Sequence, residues 1–149
     1  MKYQSTKRWG HEQGLSAAFR QWRAGSHCHF IHGYALAVKF VFEADTLDER
    51  NWVVDFGDLK ELKRKVADLF DHKTVIAEDD PQLEWFLQAS KLGVMDIQIL
   101  PNVGCEAFAE TIYHMAIDFL NENEYAPRVR LVSVEVSEHD GNSALVVNQ

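Results

Sequence analysis

The fold is decided by residues 26–34, Ser26-His27-Cys28-His29-Phe30-Ile31-His32-Gly33-Tyr34, and by the apolar residues 35–44 that follow them. Three histidines and a thiol form the densest cluster of soft and borderline metal ligands in the chain. In residues 35–44 every second side chain is large and apolar, which predicts a half-buried β-strand. His32 shares the parity of Tyr34 and Leu36. A strand that begins two residues earlier would carry His32 into the packed face, where it needs a partner, a metal or a catalytic task.

The same cluster has a plainer interpretation. Histidines at the mouth of a strand are often hydrogen-bonded loop residues, and a cysteine is often an inert small hydrophobe. The cluster also lacks the paired spacing of a structural zinc site. Spacing alone therefore slightly favours the plainer interpretation.

Composition restricts the class of protein. The 149 residues, 46% of them hydrophobic and 11% aromatic, predict one folded domain over residues 1–149. The net charge of −8 disfavours a nucleic-acid partner, and no run approaches the ~20 apolar residues of a membrane span. Two cysteines and no apolar leader predict a cytoplasmic protein. Four basic residues near the first strand indicate either a solvated face or a small anionic ligand: Lys7, Arg8, Arg20 and Arg23.

Periodicity predicts two pairs of strands around a helical middle. The predicted strands cover residues 15–22, 35–44, 129–138 and 144–147, and the predicted helices cover residues 55–70, 81–92 and 105–121. Residues 1–13 carry few signals. The order predicts an α+β fold with a four-stranded antiparallel sheet and helices on one face. Another subunit is the obvious cover for the second face.

A carboxylate ends the strand at residues 129–138. Val132, Val134 and Val136 are predicted to share one face, and Glu138 continues their parity. Glu138 is therefore a candidate for a pocket, although an acidic residue at a strand end more often frays into solvent.

Five motifs in one order resemble the 6-pyruvoyl-tetrahydropterin synthase and 6-carboxytetrahydropterin synthase family, which has the tunnelling fold. The motifs are Cys28-His29-Phe30-Ile31-His32-Gly33-Tyr34, Val54-Asp55-Phe56-Gly57-Asp58-Leu59-Lys60, Phe70-Asp71-His72, Gly104-Cys105-Glu106 and Val136-Ser137-Glu138-His139. The resemblance spans residues 15–144, with a longer connection than usual at residues 74–100. It implies a homo-oligomeric barrel with the active site near a subunit interface.

The resemblance also implies an activity on 7,8-dihydroneopterin triphosphate in pterin or queuosine-type biosynthesis. Such a carbon–oxygen lyase eliminates triphosphate and rearranges or shortens the side chain. Cys28 would act as the base and Asp71-His72 as a second proton-transfer pair. Glu138 would hold the pterin, with Glu106 assisting.

Two zinc ligands of the family are replaced here. Phe19 and Tyr34 stand where the family has histidines, and only His32 keeps its place. We predict that His27 and His29 join His32 in an open three-histidine zinc site, one zinc per chain. His11, Cys28 or His139 could substitute as ligands, and an empty site is the other possibility.

Three hypotheses follow for the function. The first is a pterin-converting enzyme, and the second is a metal-free divergent member that binds a pterin or purine without this chemistry. The third, a structural oligomer with no ligand, has least support. Phe19 and Tyr34 favour the second hypothesis, whereas Cys28, Asp71-His72 and Glu138 favour the first.

Overall fold

The computed structural model describes residues Met1–Gln149 as an α+β fold. Seven strands form a mixed sheet: β1 (Tyr3–Trp9), β2 (Leu15–Phe19), β3 (His32–Ala44), β4 (Lys73–Ala77), β5 (Ile97–Leu100), β6 (Val129–His139) and β7 (Asn142–Val147). There are three α-helices: α1 (Leu59–Phe70), α2 (Leu83–Lys91) and α3 (Cys105–Glu122). None of the helices combines the length and apolar character that a membrane span requires.

The long strand β3 holds the sheet together. The strand order is β5-β4-β2-β3-β6-β7, and β1 also pairs with β3. The first part of β3 pairs with β2 and the second part with β1, because β2 ends its pairing at Leu36 and β1 begins at Val38. The start of β3 is thereby fixed beside the end of β2, with Phe19 opposite His32.

The predicted four-stranded antiparallel sheet is wrong in strand number and direction. The connection at residues 74–100 adds strand β5 and most of β4, and both β2–β4 and β4–β5 pair in parallel. The helix α2 joins β4 to β5, as a parallel pair requires a crossover. Strand β1 was also missed. Its sequence has no alternation of apolar and polar residues, and only Trp9 is buried. The segment forms a strand by pairing with β3.

One hydrophobic core lies between the sheet and the helices α1 and α3. The predicted alternation in β3 is confirmed, since Leu36, Val38, Phe40 and Phe42 are all buried. Helix α1 buries one stripe, Leu59, Leu62, Val66 and Phe70, which is the pattern of a surface helix packed on one side. Helix α1 begins later than predicted because residues 55–58 form a turn.

Two ion pairs attach the connection at residues 74–100 to the end of β2. Arg20 forms a bidentate pair with Asp80, with Nε–Oδ2 and Nη2–Oδ1 distances of 2.8 and 2.6 Å. Both side chains are nearly inaccessible to solvent. Arg23 pairs with the exposed Asp79, which also accepts a hydrogen bond from Trp22. Arg20 and Arg23 are therefore each paired with an acidic residue of this chain.

Candidate functional site

A cavity of about 450 Å³ opens where the end of β2, the start of β3, the start of α3 and the β6–β7 hairpin meet. Its predicted site residues are Cys28, His32, Glu106 and Glu138. Further lining residues are Phe19, Gln21, Ala24, Ser26, Val103, Gly104, Cys105, Asn142, Ser143 and Ala144. The lining holds two carboxylates and no lysine or arginine. Its charge suits a ligand rich in hydrogen-bond donors.

Cys28 reaches this cavity on a short 3₁₀ turn, His27–His29. The Ser26 hydroxyl caps the turn by accepting a hydrogen bond from the Cys28 backbone N–H at 3.4 Å. The Cys28 carbonyl accepts a hydrogen bond from the Gln21 N–H at 3.0 Å. These contacts hold a partly exposed thiol at the cavity.

Glu138 enters the cavity through a β-bulge. Ser137 pairs with Ser143 and His139 with Asn142, so Glu138 is an extra residue without a partner on β7. Such a bulge bends the strand and re-aims a side chain, often beside a site. A second bulge at Val132 means that this half-exposed residue does not share the buried face of Val134 and Val136. The predicted parity along β6 was therefore wrong, although Glu138 reaches the pocket.

Glu106 and Cys105 begin helix α3. The residue before them, Gly104, has φ +128° and supplies the break at which the helix starts. A carboxylate in the first turn, such as Glu106, is favoured by the helix dipole. Burial raises the pKa of the Cys105 thiol to about 12, and the carboxylates of Glu138 and Glu106 add to this. Cys105 therefore stays a neutral thiol at neutral pH.

Sequence reasoning gave no role to Cys105, Asn142 or Ser143, which also line the cavity. Cys105 lies inside the motif Gly104-Cys105-Glu106. The other two follow the turn signal Asp140-Gly141-Asn142, so the hairpin could have been read as one wall of the pocket.

Asp71 and His72 form the predicted pair but do not line the cavity. The His72 Nδ1 lies 2.9 Å from Asp71 Oδ1, and the same oxygen accepts a hydrogen bond from the Ser16 N–H. His72 has φ +59°, a left-handed conformation, and its N–H donates to the Ser16 carbonyl at 2.6 Å. Its side chain is 82% exposed. The pair lies at the surface of this chain.

An aromatic cluster, which we define as Phe19, His32 and Tyr34, occupies the positions at which the motif resemblance implied zinc ligands. The Phe19 ring centroid lies 5.1 Å from that of His32 and 6.0 Å from that of Tyr34, and His32 lies 5.5 Å from Tyr34. Gly33 permits this contact between strands, because a Cβ there would come within 2.7 Å of the Ala17 carbonyl oxygen. Gly33 thus allows the two strands to approach closely.

Tyr34 adds a neutral hydroxyl to this region. Burial raises the pKa of the Tyr34 phenol, and the nearby Glu138 carboxylate raises it further. The phenol therefore remains protonated at neutral pH.

The predicted zinc ligands are not brought together. His29 uses both ring nitrogens, with Nδ1 2.8 Å from the Trp22 carbonyl oxygen and Nε2 3.4 Å from Arg20 Nη1. His27 lines a different, shallow surface cavity. His32 has its Nδ1 2.7 Å from the Phe30 carbonyl oxygen. The structure contains no group of three His, Cys, Asp or Glu side chains placed to hold a metal ion. The residues present do not fit zinc.

The two histidines considered as substitute ligands do not line the cavity. His139 accepts a hydrogen bond from the Gly141 N–H at Nδ1 and lies 3.3 Å from the Asn142 amide at Nε2. His11 lies against the Ala35 carbonyl oxygen and 3.6 Å from Asp140.

A second cavity, of about 390 Å³, lies beside β1 and the segment that contains Trp52 and Phe56. It contains none of the predicted catalytic, pterin-binding or zinc-binding residues.

Comparison with curated proteins gives relatives of one kind. A 6-carboxy-5,6,7,8-tetrahydropterin synthase of Aquifex aeolicus is 28% identical over 125 residues, which cover 81% of this chain and 76% of that protein. A protein of the same name from Rickettsia conorii is 32% identical over 57 residues, which cover 38% of this chain and 41% of that protein. The second match therefore spans about two fifths of the relative's length.

Solved structures show the same fold over the whole chain. An uncharacterized protein of Wolinella succinogenes superposes with a TM-score of 0.83 at 21% identity, covering 100% of this chain and 99% of that one. The 6-pyruvoyl tetrahydropterin synthase of Plasmodium falciparum superposes with a TM-score of 0.74 at 17% identity, covering 99% and 98%. The fold is thus the tunnelling fold that the motifs predicted. The family model described as 6-pyruvoyl tetrahydropterin synthase matches residues 10–149. This chain therefore belongs to the 6-pyruvoyl tetrahydropterin synthase family.

Proposed function

We propose that this chain is a carbon–oxygen lyase of the 6-carboxytetrahydropterin or 6-pyruvoyl-tetrahydropterin synthase type, acting on 7,8-dihydroneopterin triphosphate. The observation that carries the proposal is the meeting of Cys28, Glu106 and Glu138 in one cavity of about 450 Å³. This volume is within the usual range of small-molecule sites, about 300–1,000 Å³. The curated relatives bear the name of this activity.

Glu138 is the residue that would recognise the pterin ring. A carboxylate accepts two parallel hydrogen bonds from a ring N–H and the neighbouring amino group, as it does from a guanidinium. The bulge that turns Glu138 into the cavity and the absence of lysine and arginine from the lining support this role. Glu106 adds a second acceptor in the same cavity.

Cys28 is the candidate base. Its thiolate would take a proton from a carbon next to oxygen in the side chain of the substrate. Triphosphate would leave with the electrons of its C–O bond. The competing thiol, Cys105, is disfavoured because its pKa is raised to about 12.

Asp71 and His72 would complete the site from a second copy of the chain. His72 is 82% exposed and lies outside the cavity that holds Cys28, which supports a homo-oligomer with the site near a subunit interface. Asp71 fixes the orientation of the imidazole, and the proton that Nδ1 shares with it leaves Nε2 free to exchange a proton with the substrate.

The test is turnover of 7,8-dihydroneopterin triphosphate by the purified protein, followed as triphosphate release and as pterin product by mass spectrometry. We expect Cys28→Ala and His72→Ala each to lower turnover ~10²-fold, the scale for loss of a general acid or base. His114→Ala is the matched control, because His114 is exposed on α3 away from the cavity. Full turnover in both site variants would overturn the assigned roles.

One result would favour the metal-free binding protein instead. Tight pterin binding by the wild-type protein with no triphosphate release would identify it, and the aromatic cluster is the observation that favours this second candidate.

A further inference from the structure

The backbone still presents three side chains to one point at the end of β2. Phe19 lies directly opposite His32 on the neighbouring strand, and Tyr34 follows on the same face. Side chains opposite each other on paired strands have Cβ atoms about 5 Å apart, which is close enough for three imidazoles to share one ion. In this chain one of the three is a phenyl ring, which has no donor atom, and a second is a phenol.

Phe19 cannot move aside to admit a metal. Its side chain is buried, and its ring packs edge-on against Phe108 with centroids 5.1 Å apart. Phe108 in turn packs against Phe70 of α1 at 5.0 Å. A row of aromatic rings therefore joins the site to the core, and rotating Phe19 out would leave a void between α3 and the sheet.

His32 is the only histidine that lines the cavity. His29 has partners at both ring nitrogens and His27 faces another part of the surface. His32 is left with Nε2 alone, and one imidazole does not make a zinc site.

We propose that the aromatic cluster permanently closes the family's metal position, so that this chain binds its pterin ligand without a metal ion. The inference has two parts, that the chain binds no zinc and that it binds pterin without a metal. The second part rests on the proposed function, so zinc binding and pterin binding are measured separately.

The zinc half is tested by elemental analysis and by calorimetric titration with zinc chloride. We expect the wild-type protein to take up no stoichiometric zinc. The double variant F19H/Y34H should gain one zinc per chain, because it restores three imidazoles around one point. The double variant F19L/Y34F is the matched control and should gain none.

One zinc per wild-type chain that is lost in His32→Ala would overturn the inference. This pair of measurements decides the matter even where F19H/Y34H does not fold.

The pterin half is tested with neopterin as the probe, followed by its fluorescence. We expect the same affinity with excess chelator and with added zinc. An affinity that falls about tenfold on chelation, a loss of 1.4 kcal/mol, would overturn metal independence while leaving the proposed function intact. An absence of neopterin binding under all conditions would contradict the proposed function and the pterin half, whereas the zinc titration would still judge the closed metal position.

Discussion

Glu138 and Glu135 lie on the same strand, but only Glu138 lines the cavity. Glu135 pairs with Lys39 of β3 and Leu145 of β7 inside the regular part of the sheet. We expect Glu138→Gln to weaken neopterin binding by about tenfold or more, because an amide replaces one acceptor oxygen by a donor and removes charge from both hydrogen bonds. Glu135→Gln is the matched control. Calorimetry that gives both variants the affinity of the wild-type protein would remove Glu138 as the anchor.

At the residue scale, the family motifs predicted the residues of the cavity better than the alternation of side chains along β6 did. Cys28, Glu106 and Glu138 were expected in one pocket from the resemblance, and they do line one cavity. The parity argument for Glu138 was wrong at Val132, since a bulge adds a residue without leaving a mark in the hydrophobic pattern. The three histidines predicted to bind zinc are not brought together, for a similar reason. Spacing placed His27 and His29 near His32 in sequence. The hydrogen bond between the His29 ring and the Trp22 carbonyl forms only in the folded loop, so the sequence could not reveal it.

At the scale of elements, a buried ion pair between Arg20 and Asp80 attaches the unit β4-α2-β5 to the end of β2. Burial alone would raise the pKa of Asp80, but the hydrogen bonds from Arg20 and from the Gln82 N–H lower it overall. We expect Asp80→Ala to lower the free energy of unfolding by about 3 kcal/mol, since it strands a buried guanidinium. Asp79→Ala removes an exposed pair and should cost at most about 1 kcal/mol. Urea denaturation measures both.

The pH dependence of this difference has a definite sign. The folded state lowers the pKa of Asp80, so its stabilising effect is present above the unfolded value of 3.8 and is lost as the pH falls below it. The gap between wild-type protein and Asp80→Ala should therefore shrink in acid. Equal unfolding midpoints at neutral pH for Asp80→Ala and Asp79→Ala would show that the buried pair does not hold the unit.

Elements with strong apolar periodicity were predictable and elements defined by their neighbours were not. The alternation in β3 and the stripe of α1 gave both elements their correct type. Strand β1 is mostly polar, and β4 is only five residues long, so neither carries a periodic signal of its own. Each is defined by the strands it pairs with, β1 by β3, and β4 by β2 and β5.

At the scale of the whole molecule, the proposed catalytic groups lie on two separate surfaces of one chain. Cys28 faces the cavity, whereas Asp71 and His72 face solvent beside Ser16. We therefore expect light scattering to give a mass that is a multiple of the 17.1 kDa chain. A stable monomer at micromolar concentration would contradict a shared site.

Two inactive proteins should then produce an active one. When Cys28→Ala and His72→Ala chains are unfolded, mixed in equal amounts and refolded together, about a quarter of the interfaces join an intact thiol to an intact imidazole. We expect about a quarter of the wild-type rate from this mixture, although each parent alone is ~10²-fold slower. If the groups worked within a single chain, every chain would carry one lesion and mixing would restore nothing. From the exposed position of His72 we therefore expect that two defective alleles expressed in one cell, one lacking Cys28 and the other lacking His72, restore an activity that neither supports alone.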